Sequence, residues 1–554
     1  MKNNVIYILT FFATWAMAAS CQKDFLEVKP TDKVSQEFLL ADSTLFEAFV
    51  TNRYLGVRLQ DKEDIPGFGR GFTWAMWSSL SDECIYNNDD NTWLIVRGQL
   101  APENLGIAGT VWGRSYRSIR ECNYALANIS KVPFSEGHRK MLAAELRFIR
   151  AYRYFDLLTN YGGAILMGDK VYNLGDDLSD PALFARSTIK QTVDYILAEL
   201  SAAAPDLPAA NSDSWKLGRA TNGAALALKA RMALYAASPL YNAGTWAAAA
   251  AAAKAVMDLN RYSLHTGGYA NLFLTPESNE IIFERLYTKN ASHFPLEIAS
   301  APNGYGAWGG NTPLQNLVDD YETTSGKSIT DPTSGYNPQD PYSNRDPRLA
   351  ASILYNTANY RGRAVETFTP GGRDSKDGNE NWNTSKTGYY TRKFQNDAYP
   401  INNPWDVAGF QPWIYMRFAE VLLNYAEAQN EAVGPDATVY DAVNRIRQRQ
   451  GVGMPPLPAG LSQAEMRARI RNERRVELAF EEHRFYDVRR WKIADVTENV
   501  PAYGIDVVKN GNTFTYTRKV ALTGRLFQTK HYWLPIPRAE IQASNNKITQ
   551  NEGY

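Results

Sequence analysis

The chain has 554 residues, 59 Lys+Arg against 59 Asp+Glu, and three cysteines. With 44% hydrophobic and 21% charged residues it can bury a core, which excludes global disorder; its length allows about three or four ordinary domains or one composite body. Zero net charge argues against nucleic-acid binding, which depends on neutralising phosphates, while three cysteines and five histidines are too few for a disulfide scaffold or a metal-rich protein. Aromatic residues reach 12%, including 13 Trp and 32 Tyr, and either fill a large core or stand exposed as flat binding surfaces.

The first twenty residues read as a secretory signal: a short basic start at Lys2, an apolar run from Val5 to Ala19, then small residues. The apolar run is too short for a comfortable membrane span. Ala18-Ala19-Ser20-Cys21 resembles the lipobox of bacterial lipoproteins, with Ala18 where a larger aliphatic residue is usual. Cys21 is then the acylated first residue of the mature chain, and Gln22 to Glu27 looks like the acidic export tag of surface lipoproteins in Bacteroidetes-type bacteria. The alternative is simple cleavage beside a bystander cysteine. Cys84 and Cys122 remain, either as a disulfide or as two buried hydrophobes.

The body reads as helices separated by aromatic loops. Leu142 to Leu158 carries a broad apolar face at helical spacing, stopped by Tyr161-Gly162-Gly163. Further helices are predicted over Thr188–Leu200, Gly223–Ala237 and Trp246–Leu259. Their spacing of about 35 residues per pair resembles tetratricopeptide repeats, with an irregular bundle as the alternative. From Tyr262 to about Trp413, Gly, Pro, Asn and Asp multiply and periodicity fades, predicting a loop-rich region. Loops this long are usually functional or disordered. Helices resume at Ile414–Glu431, Ala437–Gln450 and Gln463–Phe480, followed by a small hairpin at Asn510–Tyr516 and an extended segment at Tyr532–Pro537. In Arg467–Glu482, Arg467, Arg471 and Arg475 repeat every four residues, as do Glu473, Glu477 and Glu481. Like charges at this spacing destabilise an isolated helix, so the stripes predict tertiary ion pairs rather than a solvated face.

No catalytic spacing stands out. Gly304-Tyr305-Gly306-Ala307-Trp308-Gly309 matches G-x-G-x-x-G, but Gly310-Asn311-Thr312-Pro313 does not continue as the helix a dinucleotide site requires. There is no H-E-x-x-H, paired-cysteine zinc spacing or G-x-S-x-G. A glycosidase needs only two carboxylates brought together by the fold, and no pair is singled out. Two aromatic and amide clusters are more informative: Trp74, Trp77, Asp82, Tyr86, Asn87, Asn88, Asp89, Asp90, Asn91 and Trp93, and then Tyr305, Trp308 and Asn311, joined by Trp382. Flat rings cover the C–H face of a sugar, and amides and carboxylates satisfy its hydroxyls. For Trp74 and Trp77 the core reading is favoured; for Trp93 and Trp308, flanked by polar residues or glycine, exposure is favoured. Asn87–Asn91 also reads, alternatively, as a set of calcium-binding oxygens.

The stretch Ile470-Arg471-Asn472-Glu473-Arg474-Arg475-Val476-Glu477-Leu478-Ala479-Phe480-Glu481-Glu482-His483-Arg484-Phe485-Tyr486-Asp487-Val488-Arg489-Arg490-Trp491 resembles the signature of the SusD/RagB family of nutrient-binding outer-membrane lipoproteins. Arg345-Asp346-Pro347-Arg348-Leu349, Arg417 to Ala428 and the closing Gln550-Asn551-Glu552-Gly553-Tyr554 carry the likeness across the chain. The resemblance implies a mainly α fold, a tetratricopeptide-like scaffold of helix pairs with a loop-rich ligand-binding lobe and a few short strands. It divides the chain into a signal peptide (1–20), an N-terminal helical region (21–261) and a C-terminal region (262–554), the last comprising the lobe (262–413) and a helical scaffold (414–554). It further implies no enzymatic activity, no cofactor, an oligosaccharide or polysaccharide ligand (a peptide in some members), and a TonB-dependent, SusC-like outer-membrane barrel as partner. The protein is then held at the cell surface by its lipid anchor at Cys21. Ligand residues vary within the family, so none transfers by motif; a surface glycoside hydrolase is the alternative from another class.

Overall fold

The computed structural model describes residues 36–55, 57–58, 64–65, 68–89, 91–173, 175–288, 291–293, 295–399 and 409–554. The leader, Cys21 and the acidic tag lie outside the described residues. The helices that build the scaffold are α1 (Ser43–Thr51), α2 (Val111–Asn128), α3 (Glu136–Tyr161), α4 (Ile189–Ala203), α5 (Asn222–Ala237), α6 (Trp246–Met257), α7 (Phe418–Val433), α8 (Ala437–Arg447), α9 (Gln463–Glu477) and α10 (Arg484–Arg490). The longer strands are β1 (Cys84–Tyr86), β2 (Ile281–Arg285), β3 (Asn311–Pro313), β4 (Trp413–Arg417), β5 (Ala502–Asn510) and β6 (Thr513–Leu522).

From α2 to α6 each helix packs on the next, and α7 then packs on α6 although some 160 residues separate them in sequence. The loop-rich segment between is therefore a large insertion into one stack of helices. Local chemistry sets the helix starts: Ser135, Thr221 and Thr245 cap α3, α5 and α6, and full capping boxes open α4 (Thr188 with Gln191) and α9 (Ser462 with Glu465). Among the described residues no helix is long and apolar enough to cross a membrane.

The mainly α class stands, and several elements differ from expectation. Helix α2 carried no sequence prediction, although Val111, Ser115, Ile119, Cys122 and Ala125 form a buried stripe at helical spacing along it. Ile414–Arg417 is not the first turn of a helix but part of β4, antiparallel to β2. A short apolar run there fits either period, and strand pairing across the insertion decided it. The hairpin is longer than Asn510–Tyr516, with β5 and β6 joined at Gly511. Cys84 and Cys122 are both buried free thiols.

The charge stripes on α9 find partners across the chain. Arg467 pairs with Glu431, and Arg475 with Asp82 and Asp320. Arg471 lies 4.6 Å over the Trp491 ring. On another side, Glu477 receives Arg417 at 2.7 Å, Arg449 at 2.9 Å and Arg348 at 2.9 Å. Arg417 also binds Glu280 (2.8 Å) and Glu481 (2.7 Å), and Lys393 binds Glu481 (2.6 Å). Glu477, Glu481, Glu280, Arg348, Arg417, Arg449 and Lys393 are all buried. Each charge loses its hydration, and only mutual pairing offsets that loss. Arg417→Met should therefore destabilise the protein by about 3–5 kcal/mol by leaving Glu477 and Glu481 under-paired, read as a lower urea midpoint at unchanged slope.

A second buried pair joins the two halves of the stack. On α5, Arg231 grips Glu420 of α7 through Nε (2.7 Å) and Nη2 (2.6 Å). Burial opposes ionisation of Glu420, but the Arg231 guanidinium outweighs it and lowers the pKa to about 2. An unfolded glutamate titrates near pH 4.3, so this pair's contribution is complete above about pH 5 and is lost as the pH falls through about 2. The stability difference between wild type and Glu420→Gln should accordingly be about 3 kcal/mol at pH 6 and shrink towards pH 2, in denaturation series at each pH.

Candidate functional site

The two aromatic clusters come together because β1 pairs with β3, with Cys84 opposite Pro313 and Tyr86 opposite Asn311. Asn87 extends the contact, its N–H donating to Gly310 O at 2.6 Å. A third segment, 381–386, joins them: Asn87 Nδ2 donates to Thr384 O (2.8 Å), and Lys386 N–H donates to Asn87 Oδ1 (2.9 Å). Gly309 has φ +50°, and a Cβ there would lie 2.6 Å from Asn383 O, so a side chain would push the two segments apart.

Around this junction Trp382 is 72% exposed, the largest exposure of any tryptophan among the described residues. Trp308 is half-buried, its ring stacked on Trp74 at 4.6 Å and 20°. Asn88 is exposed, with its Nδ2 3.4 Å from Asn383 Oδ1. Trp93 is half-buried and more tightly committed than its polar flanks suggest. Its Nε1 donates to Tyr86 O (3.0 Å), and Arg97 and Lys386 lie 4.7 and 4.6 Å from its ring centroid. Lys386 had no part in the sequence prediction, since nothing local ties it to Trp93.

Six of the predicted site residues are buried instead. Trp74 and Trp77 lie in the core, the reading their apolar segment favoured, with Trp77 against Phe485 at 5.1 Å. Asp82 is buried and holds Arg475 (2.5 Å) and Arg484 (2.7 Å). Burial would raise its pKa, but those two guanidinium groups outweigh burial and hold it far below the usual carboxylate range. Tyr86 lies buried in β1. Tyr305 is buried with its hydroxyl on Tyr360 O (2.8 Å) and Arg363 3.8 Å from its ring centroid. Asn311 accepts from Met76 N (2.9 Å) and Ser79 Oγ (2.9 Å) and donates to Trp74 O (2.9 Å) and Ser300 Oγ (3.1 Å). A polar residue whose groups are all satisfied internally has nothing left for a ligand.

Some of the oxygens in Asn87–Asn91 make internal hydrogen bonds. Asn87 Oδ1 is taken by Lys386 N–H, Asp89 Oδ1 accepts from Trp93 N–H at 2.8 Å, and Asp90 lies outside the described residues. Among the described residues no group of three His, Cys, Asp or Glu side chains is arranged to hold a metal. Burial lifts several carboxyls, with Glu83 raised to about 8, Glu284, Glu297 and Glu482 to about 7, and Asp156 to about 6. Glu83, Glu284 and Glu297 are enclosed in the interior, while Asp156 and Glu482 line a cavity with His483 and Tyr486. Desolvation is the leading cause of each of these rises.

The architecture is that of a helical scaffold presenting aromatic rings and amides at its surface. In sequence comparison, residues 279–554 match the SusD family, and residues 24–234 match a family described as starch-binding, associating with outer membrane. The chain belongs to the SusD family. It is 26% identical over 523 residues to SusD-like protein P2 of Formosa agariphila, spanning 86% of this chain and 90% of that protein. A SusD-like protein of Bacteroides fragilis superposes with a TM-score of 0.77 at 28% identity, covering 95% of this chain and all (100%) of that one. A SusD-like carbohydrate-binding protein of the same organism gives 0.75 at 26% identity, covering 92% and 99%.

The burial of Asn311 separates structure from binding in a measurable way. Asn311→Ala removes four internal hydrogen bonds and should cost about 2–3 kcal/mol in chemical denaturation, while the glycan affinity of the folded fraction stays within twofold of wild type.

Proposed function

We propose that this protein is a cell-surface glycan-binding lipoprotein, anchored by acylated Cys21, that captures oligosaccharide or polysaccharide and delivers it to a TonB-dependent, SusC-like outer-membrane barrel. The single observation that carries the reading is the junction of segments 86–93, 308–311 and 381–386, which gathers Trp308, Trp382, Asn88 and Lys386 from three remote parts of the chain. Trp382 and Trp308 supply faces for sugar C–H groups, and Asn88 and Lys386 supply hydrogen-bonding groups for the hydroxyl rim. Trp93 supports the surface from beneath through its bond to Tyr86 and its contact with Lys386. The absence of net charge suits a neutral ligand, which no long-range field would steer. The Bacteroides fragilis relative described as a carbohydrate-binding protein supports the ligand class.

Trp382→Ala and Trp308→Ala should each weaken glycan retention about tenfold in affinity electrophoresis or calorimetry, the energy of one aromatic contact. Trp382→Ala should leave the melting temperature unchanged, because its side chain is exposed. Wild-type retention in both variants would place the glycan elsewhere.

A further inference from the structure

Trp382 stands 72% exposed, and among the described residues its side chain makes no ring contact or hydrogen bond. Packing of the indole itself therefore does not fix where it points, and the backbone that carries it must do so. That backbone is a single 3-10 turn, Asn381–Asn383, entered through Glu380 at φ +51°. A non-glycine residue persists in left-handed backbone only where its surroundings over-determine it, and such positions gather at sites that hold ligands.

The surroundings here are two buried polar side chains, Asn303 and Tyr390. Asn303 precedes Trp308 in its loop, and Tyr390 lies in the short strand paired with Ile353–Leu354. The Tyr390 hydroxyl oxygen is 2.6 Å from Asn303 Oδ1 and 2.8 Å from Asp374 O, which share its proton, and it accepts the Ser385 N–H at 3.1 Å. Asn303 Nδ2 donates to Asn379 O (2.9 Å) and to Ser375 O (3.4 Å). The pair thus holds segment 374–385 at Asp374, Ser375, Asn379 and Ser385, on both sides of Trp382. Burial pushes the Tyr390 phenol far above its ordinary range, which keeps its proton in place to donate. Asp374 is anchored in turn: its carboxylate accepts Arg363 Nη1 (2.7 Å), Arg363 Nη2 (2.8 Å) and the Glu366 N–H (2.8 Å). The approach is close as well. A Cβ at Gly304 would fall 2.4 Å from Asp374 Oδ1, and one at Gly309 would fall 2.7 Å from the Tyr390 ring.

We propose, on the glycan-binding reading above, that Asn303 and Tyr390 are the positioning residues of the aromatic junction, setting the orientation of Trp382 against the Trp308 loop and so the surface that a glycan meets. Neither residue contacts the ligand; both act through the backbone of 374–385. An exposed ring held in place beforehand spares the ligand the cost of ordering it, and releasing its loop would add that cost to each binding event.

Tyr390→Phe removes the hydroxyl and keeps the ring. In this variant amide hydrogen exchange, read by mass spectrometry without ligand, should accelerate about tenfold or more across 375–386 while the helical stack is unchanged. Glycan affinity of the folded variant should fall about fivefold, and that loss should vanish in the Trp382→Ala background, where there is no ring left to misplace. A tyrosine with a merely structural role would give additive losses in this double-mutant cycle. Asn303→Ala, which removes the other half of the pair, should show the same exchange and the same coupling, and it takes the place of Tyr390→Phe if that variant fails to fold. Unaltered exchange across 375–386 overturns the positioning role whether or not glycan binds, and additive losses overturn it too. Wild-type affinity in Trp382→Ala, with accelerated exchange in Tyr390→Phe, would instead overturn the glycan reading at this ring and with it the functional half of the proposal.

Discussion

Buried ion pairing along α9 is the constraint on which the rest of the fold depends. Glu477 sits among Arg348, Arg417 and Arg449, which arrive from three separate parts of the chain. Because none of these charges retains its water, each position demands its partners, and the network fixes where the loop-rich insertion re-enters the helical stack. Immediately after α9, Phe480 (φ +63°) and Glu482 (φ +66°) adopt left-handed backbone that non-glycine residues rarely use. The turn directs Glu481 to Arg417 and Lys393, while Glu482 accepts the N–H groups of Arg70 and Gly71.

The aromatic junction hangs from the same helix. Asp82, clamped by Arg475 and Arg484, brings the residues before β1 against α9 and α10. β1 carries β3, and Asn87 then hooks segment 384–386. A short series of rigid contacts thus connects a buried salt bridge to the rings and amides at the surface. Pre-organisation of this kind lowers the ordering cost of holding a weakly interacting ligand such as a sugar.

Much of the scaffold was legible in the sequence because its causes are local. Helices α3 to α6 follow from apolar spacing and caps that act within a few residues. The frustrated charge stripes of Arg467–Glu482 were legible as well, since like charges four apart need partners from elsewhere, although nothing local named Arg348, Arg417 or Arg449. The site was legible only as a neighbourhood. Asp82, Tyr305 and Asn311 have the residue types that bind sugars, yet the same donors and acceptors serve equally well to satisfy buried backbone and arginine. Asn311 shows the difficulty, since its partners Met76, Ser79 and Trp74 stand more than 230 positions away.

The sequence by itself therefore determined the helical class, the family signature and the need for buried counter-charges, all of which rest on short-range periodicity or composition. Tertiary structure alone decided that Asp82, Tyr86, Tyr305 and Asn311 are buried. It also decided that Trp413–Arg417 forms a strand. The physical reason is the same in each case: burial and partnering are set by which remote segments touch, and the energy of a polar or aromatic side chain changes sign with that contact.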